Sequence, residues 1–157
     1  MLCSVCGEDH PVENIEKAFR LPDVIFQVPE EERADRAKIS SNFCALDDSR
    51  VFVRGVVPVP IKEKDDIYCW GVWAEVAWDT YSELYNTWDD EDCSEFEDLK
   101  GLLANSLPTY EDTFELPVRI VRKADTRPFF YVITDHLLRR DQENGISEDM
   151  PIHYAHL

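Results

Sequence analysis

The sequence predicts an α+β domain in which helices flank a mostly antiparallel central sheet, with a short Cys-x-x-Cys knuckle at the N-terminus. Segments typical of strands and of helices come in blocks rather than in β-α-β alternation, and this order favours antiparallel pairing. The chain has 157 residues, of which 44% are hydrophobic. This length suits one domain over residues 1–157, and the composition excludes a disordered chain.

The first predicted elements are two helices. Apolar side chains lie on one side of a helix over residues 12–20, and Leu21-Pro22 ends it because proline disfavours helical geometry in the preceding residue. A second helix begins at Pro29, since proline suits a first turn. The glutamates at 30–32 then face the positive end of the helix dipole.

The centre of the chain is rich in strand-forming residues. Strands are predicted over 42–46, 51–59 and 67–78. Side-chain alternation in the third strand places Trp70, Val72, Ala74 and Val76 on one face and Cys69, Gly71, Trp73 and Glu75 on the other. Glycines inside strands, at 55 and 71, indicate a bulge or a close backbone approach.

The second half of the chain is predicted to mix both element types. Asp79-Thr80 resembles an N-cap, so a helix is expected from about 80 to 88, and an acidic, irregular segment follows over 89–98. The remaining predicted elements are a turn over 101–103, strands over 117–122 and 129–133, and a helix that Asp135 caps and that ends before Gly145.

The charge of the chain narrows the classes of partner. Acidic residues number 33 against 16 basic ones, which gives a net charge of −17. Such an excess argues against nucleic-acid binding and against docking on anionic lipid, since both need positive charge. It favours a basic protein partner, or simply high solubility.

The compartment is predicted from what the N-terminus and the cysteines indicate. The first residues contain no apolar signal segment, and no apolar run reaches the roughly 20 residues of a membrane helix. Five cysteines without a secretion signal indicate reduced thiols. A cytoplasmic protein is therefore expected, with its oligomeric state left open.

A metal site is predicted at the N-terminus, where Cys3, Cys6 and His10 could hold a structural zinc ion. Two thiolates at this spacing can bind one tetrahedral ion, and Gly7 allows a tight turn behind them. No second Cys-x-x-Cys is present. The fourth ligand would come from Cys44, Cys69, His136, His153 or His156. The alternative is a terminal turn with two free thiols.

A partner-binding surface is predicted in the acidic block, because the chain from Gly71 to Leu99 contains no Lys or Arg. Carboxylates there could steer a basic protein, and interleaved aromatic side chains are frequent interface anchors. The predicted partner-binding residues are Asp79, Tyr81, Glu83, Tyr85, Trp88, Asp89, Asp90, Glu91 and Asp92. The alternative is an ordinary solvated face of an acidic protein.

Two further features have a structural and a functional interpretation. Trp70-Gly71-Val72-Trp73 would build core on both faces of the sheet, or form a stacking platform for a ligand. Arg54 inside an apolar strand needs a carboxylate or solvent, because an unpaired buried charge is costly. Cys44, Arg54 and His136 are candidates for a small-molecule or enzymatic site.

No motif of known catalytic chemistry is present, since the chain has no Gly-x-Ser-x-Gly, no P-loop and no Gly-x-Gly-x-x-Gly. No catalytic residue is therefore predicted, although an enzyme is kept as a third class of function. Its residues would be Glu32, Arg36, Arg54 and His136, meeting in a cleft.

Several segments in order resemble one bacterial family of unknown function, DUF2199. The resemblance is carried by Cys3–His10, Leu21–Asp23, Glu32-Arg33 with Arg36, Ser41–Cys44, Val51–Gly55, Pro58, Pro60, Trp70–Trp73, Leu107–Tyr110, Thr113, Arg127–Phe129, His136 and Gln142–Ser147. It implies a bacterial cytoplasmic protein of one domain and supplies no enzyme activity.

Two functions are therefore expected. The first is an acidic, non-enzymatic binding protein that neutralises a basic toxin or effector domain, as an immunity or inhibitor protein would. The second is a zinc-stabilised domain with a small-molecule or enzymatic site near Cys44, Arg54 and His136.

Overall fold

The architecture is a strand meander with short helices before, within and after it. The computed structural model describes residues 18–88, 99–122 and 127–150. The elements in these ranges are α1 (Asp23–Gln27), α2 (Glu30–Arg36), β1 (Ala37–Ile39), β2 (Phe43–Leu46), β3 (Arg50–Ile61), β4 (Asp66–Val76), α3 (Trp78–Asn86), β5 (Leu99–Leu103), β6 (Pro117–Val121), β7 (Phe129–Val132) and α4 (Leu137–Asn144).

The sheet closes on itself. Successive strands from β1 to β7 pair antiparallel, and β3 pairs in addition with β7 in parallel, at Val56 and Phe129. Strands β3 to β7 therefore form a five-stranded barrel, extended at one side by β2 and β1. Because five is an odd number, alternating strand directions cannot continue around a closed ring, and one neighbouring pair must be parallel. The α+β class is confirmed. The central sheet, predicted as mostly antiparallel, is a closed barrel that contains one parallel pair, and this closure was not predicted.

Gly55 allows this closure. A Cβ atom at Gly55 would lie 2.7 Å from the carbonyl oxygen of Pro128 and would overlap the Phe130 ring. The adjacent main-chain N–H of Val56 donates to that same carbonyl at 3.0 Å. Glycine is therefore required where β7 approaches β3, and the predicted close backbone approach is confirmed there.

Each face of the central strands packs against its own core. Trp70, Val72 and Ala74 are fully buried among the side chains inside the barrel. Trp73 is fully buried on the opposite face, where it joins a second cluster with Ile25 of α1. The predicted alternation along β4 is confirmed, and the two tryptophans build core on both sides of the sheet.

Asn105 fastens the segment before α1 to the barrel. Its side chain is fully buried. Its Oδ1 accepts from the main-chain N–H of Trp73 at 2.8 Å, and its Nδ2 donates to the Leu21 carbonyl and to Asp23 Oδ1, both at 2.9 Å. One amide thus satisfies groups from two distant parts of the chain, as buried polar groups require.

Two predicted elements differ from the structure. The predicted turn over 101–103 was wrong, because these residues belong to β5, which lies between β4 and β6. The predicted helix over 12–20 was wrong at its end: Ala18 forms a parallel bridge with Gly71, and the Phe19 N–H donates to the Gly71 carbonyl at 2.8 Å. An unpaired stretch of the β4 edge thus holds this segment in extended form. Residues 12–17 lie outside the described ranges.

The other predicted elements are found with shifted ends. The predicted third strand ends at Val76, and Trp78 already begins α3. The N-cap of α4 is His136, not Asp135, since the His136 side chain accepts from the Leu138 N–H. The N-terminal knuckle lies outside the described residues. In the described ranges, no helix is long and apolar enough to cross a membrane.

Candidate functional site

An aromatic cluster links α3 to the strand β2. Tyr81 and Tyr85 lie one helical turn apart, and their rings stack with centroids 6.1 Å apart and planes at 19°. Both rings meet the Phe43 ring edge to face, at 5.3 and 5.2 Å, and Trp88 meets it at 4.8 Å. Edge-to-face geometry is favourable for aromatic rings, so Phe43 fixes three rings from α3 and the turn after it.

Part of this cluster faces solvent. The Tyr85 side chain is 60% exposed and that of Trp78, which contacts Tyr81 at 5.6 Å, is 47% exposed. Tyr81 and Trp88 are half-buried and pack against the barrel core. The two exposed rings are therefore held from below by buried ones, an arrangement that presents apolar surface in a fixed orientation.

A groove separates α3 from the edge strand β1. Its volume is about 210 Å³, and its lining includes Ile39 and Ser40 from the β1 side and Phe43, Tyr81 and Tyr85 from the other. Among the described strands β1 pairs only with β2. Its outer edge therefore carries main-chain groups that can pair with another chain.

Carboxylates are also exposed on α3, on the side turned away from Tyr81 and Tyr85. Asp79 and Glu83 are exposed on α3, and neither forms an ion pair with any described residue. Lys38, which also lines the groove, is paired with Asp48 at 3.0 Å. The described surface of α3 thus exposes aromatic rings on one side and carboxylates on another.

The structure places five predicted partner-binding residues in one region. Asp79, Tyr81, Glu83 and Tyr85 lie on α3, and Trp88 lies just after it. The predicted residues Asp89, Asp90, Glu91 and Asp92 lie outside the described ranges. Sequence reasoning missed Phe43, because the strand that carries it reaches α3 only through the folding of the sheet.

Cys44 is a buried thiol of the second core. It is fully shielded from solvent, and burial raises its pKa to about 11. A thiol in this state stays protonated at neutral pH, so it is a weak nucleophile and a weak metal ligand. Its surroundings are those of a small hydrophobic core residue.

His136 uses both ring nitrogens in main-chain contacts. Its Nδ1 accepts from the Leu138 N–H at 3.0 Å, and its Nε2 lies 2.6 Å from the Glu111 carbonyl oxygen, so Nε2 must carry the proton. This histidine caps α4 and ties it to the loop before β6. Its hydrogen bonds involve neither Cys44 nor Arg54.

Arg36 and Glu32 form an exposed ion-pair network of their own. Their side chains are 3.8 Å apart on α2, and both guanidinium Nε and Nη2 of Arg36 donate to Asp47 at 2.9 Å. The hydrogen bond from Arg36 lowers the pKa of Asp47. This network joins α2 to the turn after β2, and neither Arg54 nor His136 takes part in it.

Arg54 finds no carboxylate within the described residues. Its guanidinium carbon lies 5.7 Å from the centroid of the Trp73 ring, and its Nη1 donates to the Ser41 carbonyl at 3.3 Å. Arg127 lies close by and donates from Nε to Asn42 Oδ1 at 3.0 Å. Asn42, Trp73 and Arg127 were not predicted to act with Arg54, although each lies in a segment that carried the family resemblance.

The predicted zinc ligands Cys3, Cys6 and His10 lie outside the described residues. Over 18–88, 99–122 and 127–150, no three His, Cys, Asp or Glu side chains are grouped closely enough to hold a metal ion. The zinc site therefore stays a prediction.

A family model described as an uncharacterized protein conserved in bacteria (DUF2199) matches residues 2–146. The chain belongs to the DUF2199 family. The match spans both the candidate metal ligands at the N-terminus and the aromatic cluster of this DUF2199 chain. No curated protein and no solved structure matched it, so its function has to be argued from its own geometry.

Proposed function

We propose that this DUF2199 protein is an acidic, cytoplasmic, non-enzymatic binding protein that docks a basic protein on the surface formed by α3 and β1. The observation that carries the proposal is the pair of exposed rings, Trp78 and Tyr85, at 47% and 60% exposure, above a buried aromatic support. Large exposed rings of this kind are the side chains that most often anchor protein interfaces.

Support from beneath makes these rings effective anchors. Tyr85 stacks on Tyr81 and meets Phe43, whose own side chain is buried. Because these contacts already restrict the ring, docking costs less conformational entropy than it would for a free side chain. The groove of about 210 Å³ beside Tyr85 offers space for an apolar side chain of the partner.

Charge defines the chemistry of the partner. The chain carries a net charge of −17, and Asp79 and Glu83 have no basic partner among the described residues. A lysine or arginine of the partner would pair with these carboxylates and could also stack on the Trp78 or Tyr85 ring. A basic toxin or effector domain has this chemistry, and an immunity or inhibitor role would follow from covering it.

The experiment compares capture of a host protein by three variants. The wild-type protein, a Trp78→Ala/Tyr85→Ala double variant and a Leu137→Ala control are immobilised, and native-host lysate is applied at low salt. Leu137 is 52% exposed on α4, so it controls for loss of exposed apolar surface elsewhere. The protein retained is identified by mass spectrometry, purified and titrated against each variant.

We expect a basic protein that binds the wild type and the Leu137→Ala control alike. Loss of both rings should weaken its binding at least about 30-fold, since an anchor residue contributes about 2 kcal/mol or more. Capture of no protein by the wild type, or equal affinity for the double variant and the control, would contradict the proposal.

A further inference from the structure

We propose that Arg54 and Arg127, positioned by Asn42 and Trp73, form a binding site for a small anionic molecule that carries a carboxylate or phosphate group. This site is separate from the docking surface on α3 and does not depend on it.

The two arginines are held on one short segment before β2. The main-chain N–H of Arg54 donates to the Asn42 carbonyl at 2.9 Å, and its side-chain Nη1 donates to the Ser41 carbonyl at 3.3 Å. Arg127 donates to the Asn42 side chain at 3.0 Å. Both guanidinium groups are therefore brought to the same two residues, although they come from β3 and from the segment before β7.

Trp73 fixes the direction of Arg54. It lies opposite Arg54 in the β3–β4 register, and its ring centroid is 5.7 Å from the guanidinium carbon. The indole itself is buried, and its Nε1 donates to the Phe19 carbonyl at 3.1 Å. A cation held over a fixed aromatic face is preorganised, so it loses less conformational entropy when a ligand binds.

The positive charge of this pair is not compensated within the described chain. Arg36, Arg50, Arg139 and Arg140 each pair with a carboxylate, at 2.7 to 3.4 Å. Arg54 and Arg127 have no such partner among the described residues, and the Nε of Arg54 is buried without an acceptor. Arg20, Arg33 and Arg119 also form no ion pair with a described residue. Arg54 and Arg127 differ in that their like charges lie close enough to interact, so one bound anion would compensate both.

Repulsion acts between the two arginines. Burial lowers the pKa of Arg54, and the nearby charge of Arg127 lowers it further. A bound oxyanion would remove this repulsion, because it interacts favourably with both cations at once.

Donors for such a ligand remain available. Nη2 of Arg54 and both Nη atoms of Arg127 make no hydrogen bond to a described residue. Both side chains are half-buried, so solvent and small solutes reach them. Guanidinium groups bind carboxylate and phosphate through two parallel hydrogen bonds. A small ligand is favoured over a polyanion, because the net charge of −17 repels an extended negative chain.

The experiment titrates the full chain with two probes, inorganic phosphate and succinate, by isothermal calorimetry at low ionic strength. The variants are Arg127→Gln, which removes one cation, and Asn42→Asp, which places a carboxylate where the Asn42 oxygen accepts from Arg127. Arg139→Gln is the control, because it makes the same charge change on α4. Circular dichroism and thermal unfolding verify that each variant is folded.

We expect saturable binding of at least one probe with a dissociation constant near or below about 1 mM. Binding of phosphate alone or of succinate alone identifies the group on the ligand. Arg127→Gln and Asn42→Asp should each weaken binding about tenfold or more, since a hydrogen bond to a charged group contributes about 1.5–3 kcal/mol. Arg139→Gln should leave it unchanged.

Two results would overturn the inference. One is the absence of saturable binding of either probe to the wild-type protein. The other is a loss of affinity in Arg127→Gln and Asn42→Asp that is no greater than the loss in the control. The two arginines would then serve only to hydrogen-bond Ser41 and Asn42. If Arg127→Gln does not fold, Asn42→Asp decides alone, because its added carboxylate keeps the contact with Arg127.

Discussion

The side-chain oxygen of Asn105 accepts a hydrogen bond from the main-chain N–H of Trp73 at 2.8 Å, deep between the barrel and α1. The same amide donates to the Leu21 carbonyl and to Asp23. Since Asn105 has no exposed surface, water cannot replace these bonds when the side chain is removed. Asn105 is therefore one of several attachments of α1 to the barrel, beside the Asp23 N–H bond to the Ala104 carbonyl and the packing of Ile25.

Replacing Asn105 should consequently cost much of the stability of the fold. Asn105→Ala leaves the Trp73 N–H and the Leu21 carbonyl unpaired, and each buried unpaired group costs about 1–3 kcal/mol. We expect the free energy of unfolding in urea to fall by about 3 kcal/mol. The exposed Asn86→Ala is the control, with an expected change below about 0.5 kcal/mol. A loss below about 1 kcal/mol in Asn105→Ala would contradict this role.

Closure of the barrel leaves no room for a side chain at Gly55. Gly55→Ala would push its Cβ against the Phe130 ring and the Pro128 carbonyl, which lies 2.7 Å from the Cβ position. Overpacking of this kind costs about 1–3 kcal/mol, and here it would act on the single parallel contact between β3 and β7. Urea denaturation of Gly55→Ala measures the cost.

A second substitution distinguishes a clash with the ring from a general strand defect. Phe130→Leu alone loses core contacts, but combined with Gly55→Ala it should recover part of the lost stability, because the smaller side chain leaves room for the methyl group. The double-mutant cycle should give a favourable coupling energy of about 0.5 kcal/mol or more. Additive effects would show that the ring is not the obstacle.

Cys44 should make stability depend on pH in the alkaline range. Its pKa is raised by burial from 9.0 to about 11, so the folded protein retains the thiol proton where the unfolded chain loses it. The protonated thiol therefore stabilises the fold fully below about pH 9, and this contribution is lost as pH rises toward 11. We expect the stability difference between wild type and Cys44→Ala to shrink between pH 8 and about 10.5.

Chemical labelling gives an independent measurement of the same thiol. At pH 8 a thiol with a pKa of about 11 is about one part in a thousand ionised. Iodoacetamide should therefore label the half-buried Cys69 well before Cys44, as measured by peptide mass spectrometry of the native protein. Equal labelling rates would contradict the burial of Cys44, and denaturant should abolish the difference.

The strands were predictable because alternation of side chains leaves a clear mark in the sequence. Trp70, Val72 and Ala74 face the barrel and Trp73 faces α1, as the period of two requires. Closure of the barrel has no comparable sequence pattern, since it depends on one parallel contact between residues 56 and 129. The strand β5 was missed because Gly101 resembles a turn residue, whereas the two neighbouring strands hold β5 extended.

The candidate sites were predictable to a different extent. Tyr81 and Tyr85 were predicted to bind a partner because they are interleaved with carboxylates in a segment without Lys or Arg, so this half of the proposed docking surface could be proposed from sequence. The contact of Phe43 with Tyr85 and the proximity of Arg54 to Arg127 could not be predicted from sequence. Both join segments that are distant in the chain and are brought together only by the fold of the sheet. Arg54 was expected to find a carboxylate or solvent. It is half-buried, so solvent reaches it, and its guanidinium lies over the Trp73 ring, which was not predicted.

The N-terminal cysteines predict bound zinc. If Cys3, Cys6 and His10 hold a structural ion, untagged protein should contain close to one equivalent of zinc by elemental analysis. A Cys3→Ser/Cys6→Ser variant should contain none, whereas Cys93→Ala, which removes a cysteine outside the candidate ligand set, should keep the metal. Less than about a tenth of an equivalent in the wild type would contradict a tetrahedral site of ordinary affinity.

Carboxylates near the docking surface should control the rate of association more than the lifetime of the complex. Asp79 and Glu83 are exposed and lack ion-pair partners among the described residues, so they act on an approaching basic protein over distance. Asp79→Asn/Glu83→Gln should lower the association rate constant about threefold or more at low ionic strength, with a smaller change in dissociation rate. The effect should fade above about 0.3 M salt, where charges are screened.

A matched control separates this local field from the net charge of the molecule. Asp65→Asn/Glu148→Gln makes the same change in charge at exposed positions outside the docking surface. Biosensor kinetics with the identified partner should show a smaller loss of association rate in the control than in Asp79→Asn/Glu83→Gln. Equal losses would mean that only overall charge attracts the partner, because a docking surface on α3 requires that carboxylates on α3 act more strongly than distant ones.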